Sequence, residues 1–215
     1  MQRKINLHIK IELMPEIRAV NFVCHSAGAY GCLAAAGFLE PTETLVQRIV
    51  LAGPTPSPTA YEGRFEQRGH PIQNFLEQVR LVDPTFDNET LQRIARHFEL
   101  SSGKIEWVIS TGDTAVIPRD YFSAMQRMKE AGISQRIWLV GDTASISANR
   151  NFGNLISWAE QRNVSVLRLS PSLVTGSGFS FPDTGHHSMF PLAGRILTDL
   201  ISFGSAEAIP YIGGN

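Results

Sequence analysis

Near the N-terminus five apolar residues, Ile5, Leu7, Ile9, Ile11 and Leu13, alternate with Asn6, His8, Lys10 and Glu12. Strict alternation sets one face against a core and the other in water, and predicts a half-buried strand. After the short connection MPEIR, the run Ala19 to Val23 is mostly apolar and partly β-branched, the pattern of a buried strand. Small, helix-tolerant residues follow, predicting a helix from about Ala27 to Leu39 that ends before Pro41. A second buried strand is predicted in LVQRIVLAGP, stopped by the proline- and glycine-rich GPTPSPTAYEG. Over residues 71–99 apolar positions recur at helical spacing in two pieces. Phe75, Leu76, Val79 and Val82 form the first, and Leu91, Ile94, Ala95 and Phe98 the second, with Asp87 or Asn88 as its cap.

From there the alternation becomes regular. KIEWVIST reads as a strand and PRDYFSAMQRMKEAG as a helix, with proline at its start and glycine at its end. QRIWLVG and VSVLRLS read as strands flanking the helix NRNFGNLISWAEQRN. A loop then runs from Pro171 to about Ser188, and a last helix from about Leu192 to Phe203. Strands alternating with helices of this length imply βαβ units, so the expected class is α/β, a mainly parallel sheet with helices on both faces. No repeat or low-complexity segment interrupts the pattern. The phrase GDTA occurs at 112 and again at 141, each time at a strand end.

Composition narrows the function classes. The 215 residues allow one domain with a substantial core, and 19 Lys and Arg set against 20 Asp and Glu make no basic surface for nucleic acid. No apolar run approaches the roughly 20 residues of a membrane span, and the alternating N-terminus is unlike the continuous apolar stretch of a signal peptide. A cytoplasmic protein is therefore expected. The two cysteines, Cys24 and Cys32, fall in a predicted strand and helix, where reduced, buried thiols are expected rather than a disulfide or metal site.

In a parallel sheet the reactive groups gather at the carboxyl ends of the strands. Ser26, Asp142 and His186 fall there in chain order. A serine hydroxyl becomes a useful nucleophile when an imidazole takes its proton, and a carboxylate fixes that imidazole's tautomer and steadies its charge. CHSAGAYG around Ser26 and PDTGHHSMF around His186, with the βα run between them, resemble the second half of the α/β-hydrolase fold, over roughly residues 19 to 203. The resemblance implies Ser26 as nucleophile, His186 as base and the amide of Ala27 as half of an oxyanion hole. It also implies a lid at about residues 71–100 over an acyl-binding pocket. No cofactor is implied, and the partner expected is a small-molecule acyl substrate.

Three departures qualify the resemblance. The first glycine of the G-x-S-x-G turn is replaced by Cys24. The acid's usual place, three residues after Gly141, holds Ala144, while Asp142 and Asp113 each stand one residue after a glycine. Asp142 is preferred because strand, helix and strand lead directly from it to His186. Only about 18 residues precede the serine strand, room for one strand at about 3.3 Å per residue, which implies a fragment or a trimmed fold. A sheet cut short leaves an edge able to pair with a second copy. Two readings follow: a serine hydrolase cleaving an ester or thioester through an acyl-enzyme, or a catalytically silent relative, a binding protein or a truncated remnant, in which Ser26 is a turn residue. A metal site from His186, His187 and Asp183 is disfavoured because adjacent side chains seldom converge. GSG at 176–178 lacks the context of a phosphate loop. Trp107, Trp138 and Trp158 lie in strand or helix patterns and are expected in the core.

Overall fold

Strand β3, Lys104–Ser110, has six of its seven residues buried, although Lys104 and Glu106 give its sequence a half-polar look. A strand covered on both faces lies in the middle of a sheet. The computed structural model describes residues 18–54, 83–113, 121–141, 143–168 and 209–210, and β3 is central among them. It is flanked by β2, Leu45–Ala52, and β4, Gln135–Val140. Beyond these lie β1, Ala19–His25, on one side and β5, Ser165–Arg168, on the other. All five are parallel, and a two-residue strand β6, Ile209–Pro210, runs antiparallel to β5. The class expected from the sequence is thus present: an α/β fold with a mainly parallel sheet.

Among the described residues five helices connect these strands: α1, Gly28–Phe38; α2, Asn88–Ser101; α3, Phe122–Glu130; α4, Thr143–Ala148; and α5, Arg150–Gln161. Because the strands stand in chain order, crossovers of one hand deliver every connecting helix to the same face. The core confirms this. Leu33, Ile94, Met125, Ile146 and Leu155, one from each helix, join Ile49, Leu51, Ile105, Trp107, Ile137 and Leu139 in a single buried cluster. The expected helices on both faces are found, among the described residues, on one face only. The opposite face, with Val50, Ala52, Val108, Trp138 and Val140, is also buried.

Local signals act as the pattern predicts. Asp87 caps α2, its carboxylate accepting from the amides of Glu89 and Thr90, and Leu91, Ile94 and Phe98 form its buried stripe. His97 on the same helix is fully buried. Its Nδ1 accepts from the Val46 amide at 3.3 Å, which leaves Nε2 as the donor to the Leu39 carbonyl at 3.0 Å. Burial holds the imidazole below its ordinary pKa, against the raising effect of that backbone contact. Trp107 and Trp138 are core residues, as expected. The Trp107 indole donates to Gln135 at 2.9 Å and the Trp138 indole to the Glu106 carboxylate at 2.8 Å.

One expectation is overturned. Cys24 and Cys32 are joined in a disulfide rather than held as two thiols, with Cα atoms 6.4 Å apart. Eight residues of sequence separation suffice because the chain reverses between strand and helix and brings Cys32 back over the end of β1. The expected N-terminal strand, the first helical piece of the lid segment, the loop from Pro171 and the last helix lie outside the described residues. No helix among the described residues is long and apolar enough to cross a membrane.

Candidate functional site

Strand β1 ends at His25, and α1 begins at Gly28, so Ser26 and Ala27 alone make the turn. To reverse direction in two residues the backbone of Ser26 adopts φ 52°, in the left-handed region. That region costs an L-residue about 1–2 kcal/mol because Cβ crowds the neighbouring carbonyl. Among the described residues two other non-glycine residues share it, Ser102 at φ 54° and Asn163 at φ 53°. Both follow the C-terminal end of a helix, where a left-handed residue is the ordinary way to stop. Ser26 instead precedes a helix, and no capping rule asks for its conformation. Backbone hydrogen bonds hold it in place: its amide donates to the Ala52 carbonyl at 3.1 Å, and its carbonyl accepts from the Ala29 amide at 3.1 Å. The side chain is half-buried, at the carboxyl end of the sheet beside the first turn of α1.

Further hydrogen bonds extend along this edge of the sheet. The Gly53 amide, just past β2, donates to Val108 of β3 at 3.0 Å, and the Thr111 amide, just past β3, donates to Val140 of β4 at 2.9 Å. The loops after β1, β2 and β3 are therefore tied, each to the next strand. Gly141 permits a close approach, since a Cβ there would lie 2.5 Å from Thr111 Oγ1. Asp113 sits within this row. It is buried, and its amide donates to the Ser110 carbonyl at 3.2 Å.

Neighbouring strands lie about 4.8 Å apart, so the end of β3 is about 10 Å from the end of β1, and the end of β4 about 14 Å. An imidazole bridging a hydroxyl and a carboxylate spans about 8 Å, two hydrogen bonds and a ring. Asp113 follows the nearer strand. Asp142 and His186 lie outside the described residues. Of the residues expected at the site, Ser26 and Ala27 are therefore placed together, at the start of α1, with Asp113 two strands away.

Two features of the neighbourhood escaped the sequence reading. Tyr30, in the first turn of α1, is buried, and burial pushes its phenol well above the ordinary range, with the Asp83 carboxylate adding to the rise. Asp83 in turn accepts from the Thr85 amide at 3.0 Å and the Thr85 hydroxyl at 2.7 Å, ahead of α2. The other feature is the Cys24–Cys32 bond, whose closed loop CHSAGAYGC contains Ser26. A cysteine at a strand end and another one turn into the next helix is a legible signal for it. Comparison of the chain with protein-family models, with curated proteins and with solved structures gives no match.

Proposed function

We propose that this chain is a serine hydrolase of α/β-hydrolase type, cleaving a carboxylic ester or thioester through an acyl-enzyme, with Ser26 as nucleophile. The observation that carries the reading is the left-handed backbone of Ser26 at a two-residue strand-to-helix turn. Strained backbone outside a cap is a costly feature that persists where a side chain must be held clear of the chain. Supporting it are the small residues on either side, Cys24 and Gly28, and the position at the carboxyl end of a parallel sheet.

In the proposed reaction Ser26 Oγ attacks the acyl carbonyl while His186 takes its proton, then returns it to the leaving group. The Ala27 amide, at the positive end of α1, donates to the developing oxyanion. Water, deprotonated by the same imidazole, then releases the acid. For the carboxylate that orients His186 we favour Asp113 over Asp142, because β3 lies one strand closer to β1 than β4 does. Hydrolysis of p-nitrophenyl butyrate by single variants tests each assignment. Ser26→Ala and His186→Ala are expected to abolish turnover, and Asp113→Asn to lower it by about 1,000- to 10,000-fold. Asp142→Asn is expected to retain most of the activity. A larger loss at Asp142 than at Asp113 reverses the choice of acid, and full activity in Ser26→Ala removes the nucleophile.

A further inference from the structure

The bond between Cys24 and Cys32 ties the end of β1 to the second turn of α1, directly across the turn that carries Ser26. Cys24 is the second residue before Ser26 and Cys32 the sixth after it. Cys24 is buried in the core cluster at 3% exposure, so the strand end it anchors is fixed. Cys32, on α1, is only partly buried where it packs against that cluster, and is the less buried partner of the pair. A left-handed serine relaxes unless its surroundings over-determine it. Among the ties that hold it are two backbone hydrogen bonds, to Ala52 and from Ala29, and this covalent link, which alone among them can be made and broken by redox chemistry.

We infer that the Cys24–Cys32 disulfide is a redox-sensitive positioning device: oxidised, it holds the Ser26 turn in its strained conformation, and reduction lets the turn relax and lowers the reactivity of the serine. The bond itself is independent of the hydrolase reading; its consequence for reactivity rests on that reading. The chemistry is ordinary thiol–disulfide exchange. A thiolate of a dithiol attacks Sγ of Cys32, the less buried partner, the disulfide breaks, and Cys24 leaves as a thiolate that takes up a proton. The second thiol of the reagent then displaces Cys32, so that two electrons and two protons pass to the protein and the dithiol closes to its own disulfide. Glutathione disulfide reverses the change. The substitution of cysteine for the usual first glycine of the serine turn has, on this account, a purpose beyond small size.

Hydrogen exchange by mass spectrometry, on the full chain oxidised, reduced with dithiothreitol and reoxidised, tests the device without reference to catalysis. Reduction is expected to speed exchange of the Ser26, Ala29 and Tyr30 amides about tenfold, to leave Val108 and Ile109 in β3 unchanged, and to be undone by reoxidation. A Cys24→Ala, Cys32→Ala double variant should exchange like the reduced chain and ignore the reagent. Unchanged exchange around Ser26, or an equal rise in β3, overturns the device, as does an oxidised chain whose intact mass carries two free thiols. The same samples treated with a fluorophosphonate separate the two claims. Labelling of Ser26 that falls about tenfold on reduction and recovers on reoxidation supports both. Labelling that ignores the redox state overturns the switch alone. Redox-dependent exchange without labelling in any state removes the nucleophile while leaving the structural link in place.

Discussion

If the serine turn is strained, glycine at position 26 must relieve it. Ser26→Ala removes the hydroxyl and keeps Cβ, and with it the clash that makes φ 52° unfavourable. Ser26→Gly removes both. Since every interaction of the hydroxyl is lost in either variant, the difference between them isolates the backbone. Relief of a left-handed L-residue is worth about 1–2 kcal/mol. Against this, glycine's freedom in the unfolded chain costs about 0.4–1 kcal/mol. The remainder lies between about 0 and 1.6 kcal/mol, centred at about 0.8 kcal/mol in favour of Ser26→Gly, or about 2–3 °C in Tm at that centre for a chain of this size. Urea denaturation of the two variants, monitored by tryptophan fluorescence and fitted with a common m-value, reads the difference directly. The pair Ser102→Gly and Ser102→Ala calibrates it, because Ser102 has φ 54° at an ordinary helix end. A Ser26→Gly variant no more stable than Ser26→Ala, beside a normal response at Ser102, would refute the argument that the turn stores strain.

Three other sites give independent checks. His97→Ala leaves the Val46 amide and the Leu39 carbonyl without partners in the core, and should cost about 2–4 kcal/mol in denaturant unfolding. The same residue fixes a pH dependence. The unfolded imidazole takes its proton near 6.5, the folded one only at lower pH, so stability falls as pH drops from 6.5 through the depressed folded value. Above 6.5 both states are neutral and the slope from this group vanishes. A His97→Ala chain whose stability falls as steeply as the parent's over that window would contradict the assignment. Glu106 is fully buried, within 3.6 Å of Arg48 and 3.7 Å of Arg136. Glu106→Ala should cost about 2–3 kcal/mol, below the range for wholly buried pairs because both arginines keep some contact with water, and Glu106→Gln less, because it still accepts from Trp138. Equal losses in the two variants by urea titration would mean that the indole contact carries no weight. Gly37→Ala, stabilising in an isolated helix, should here destabilise by about 1–3 kcal/mol, because the new Cβ would lie 2.7 Å from Thr90 Cγ2; a rise in Tm would show that α1 and α2 separate easily.

The elements most legible in the sequence are those whose signal is local. Leu91, Ile94 and Phe98 mark the inner face of α2, Asp87 marks its start, and the apolar runs at 45–52 and 135–140 mark inner strands. Properties set by non-local packing were harder to read. Lys104 and Glu106 make β3 look half-exposed, yet Glu106 is buried because Arg48, Arg136 and Trp138 on flanking strands supply its partners. Helices on both faces were expected from alternation alone, whereas strand order decides the side, and order is invisible in a period. The same limit affected the choice of acid. Asp142 is closer to His186 along the chain and Asp113 follows a strand nearer to β1, so chain order and strand order point to different acids, and only the Asp113→Asn and Asp142→Asn variants decide between them. The disulfide depends on the turn that brings Cys24 at the strand end and Cys32 in the helix together, which neither position shows by itself.

The central claim is that Ser26 is an activated nucleophile, and intact-mass analysis of covalent labelling tests it most directly. The oxidised full chain is incubated with a fluorophosphonate beside Ser26→Ala, both shown to be folded by far-UV circular dichroism. The account predicts one adduct on the native chain, mapped to the peptide containing CHSAGAYG, and none on the variant. No adduct on the folded native chain, or an adduct that persists in Ser26→Ala, would contradict it.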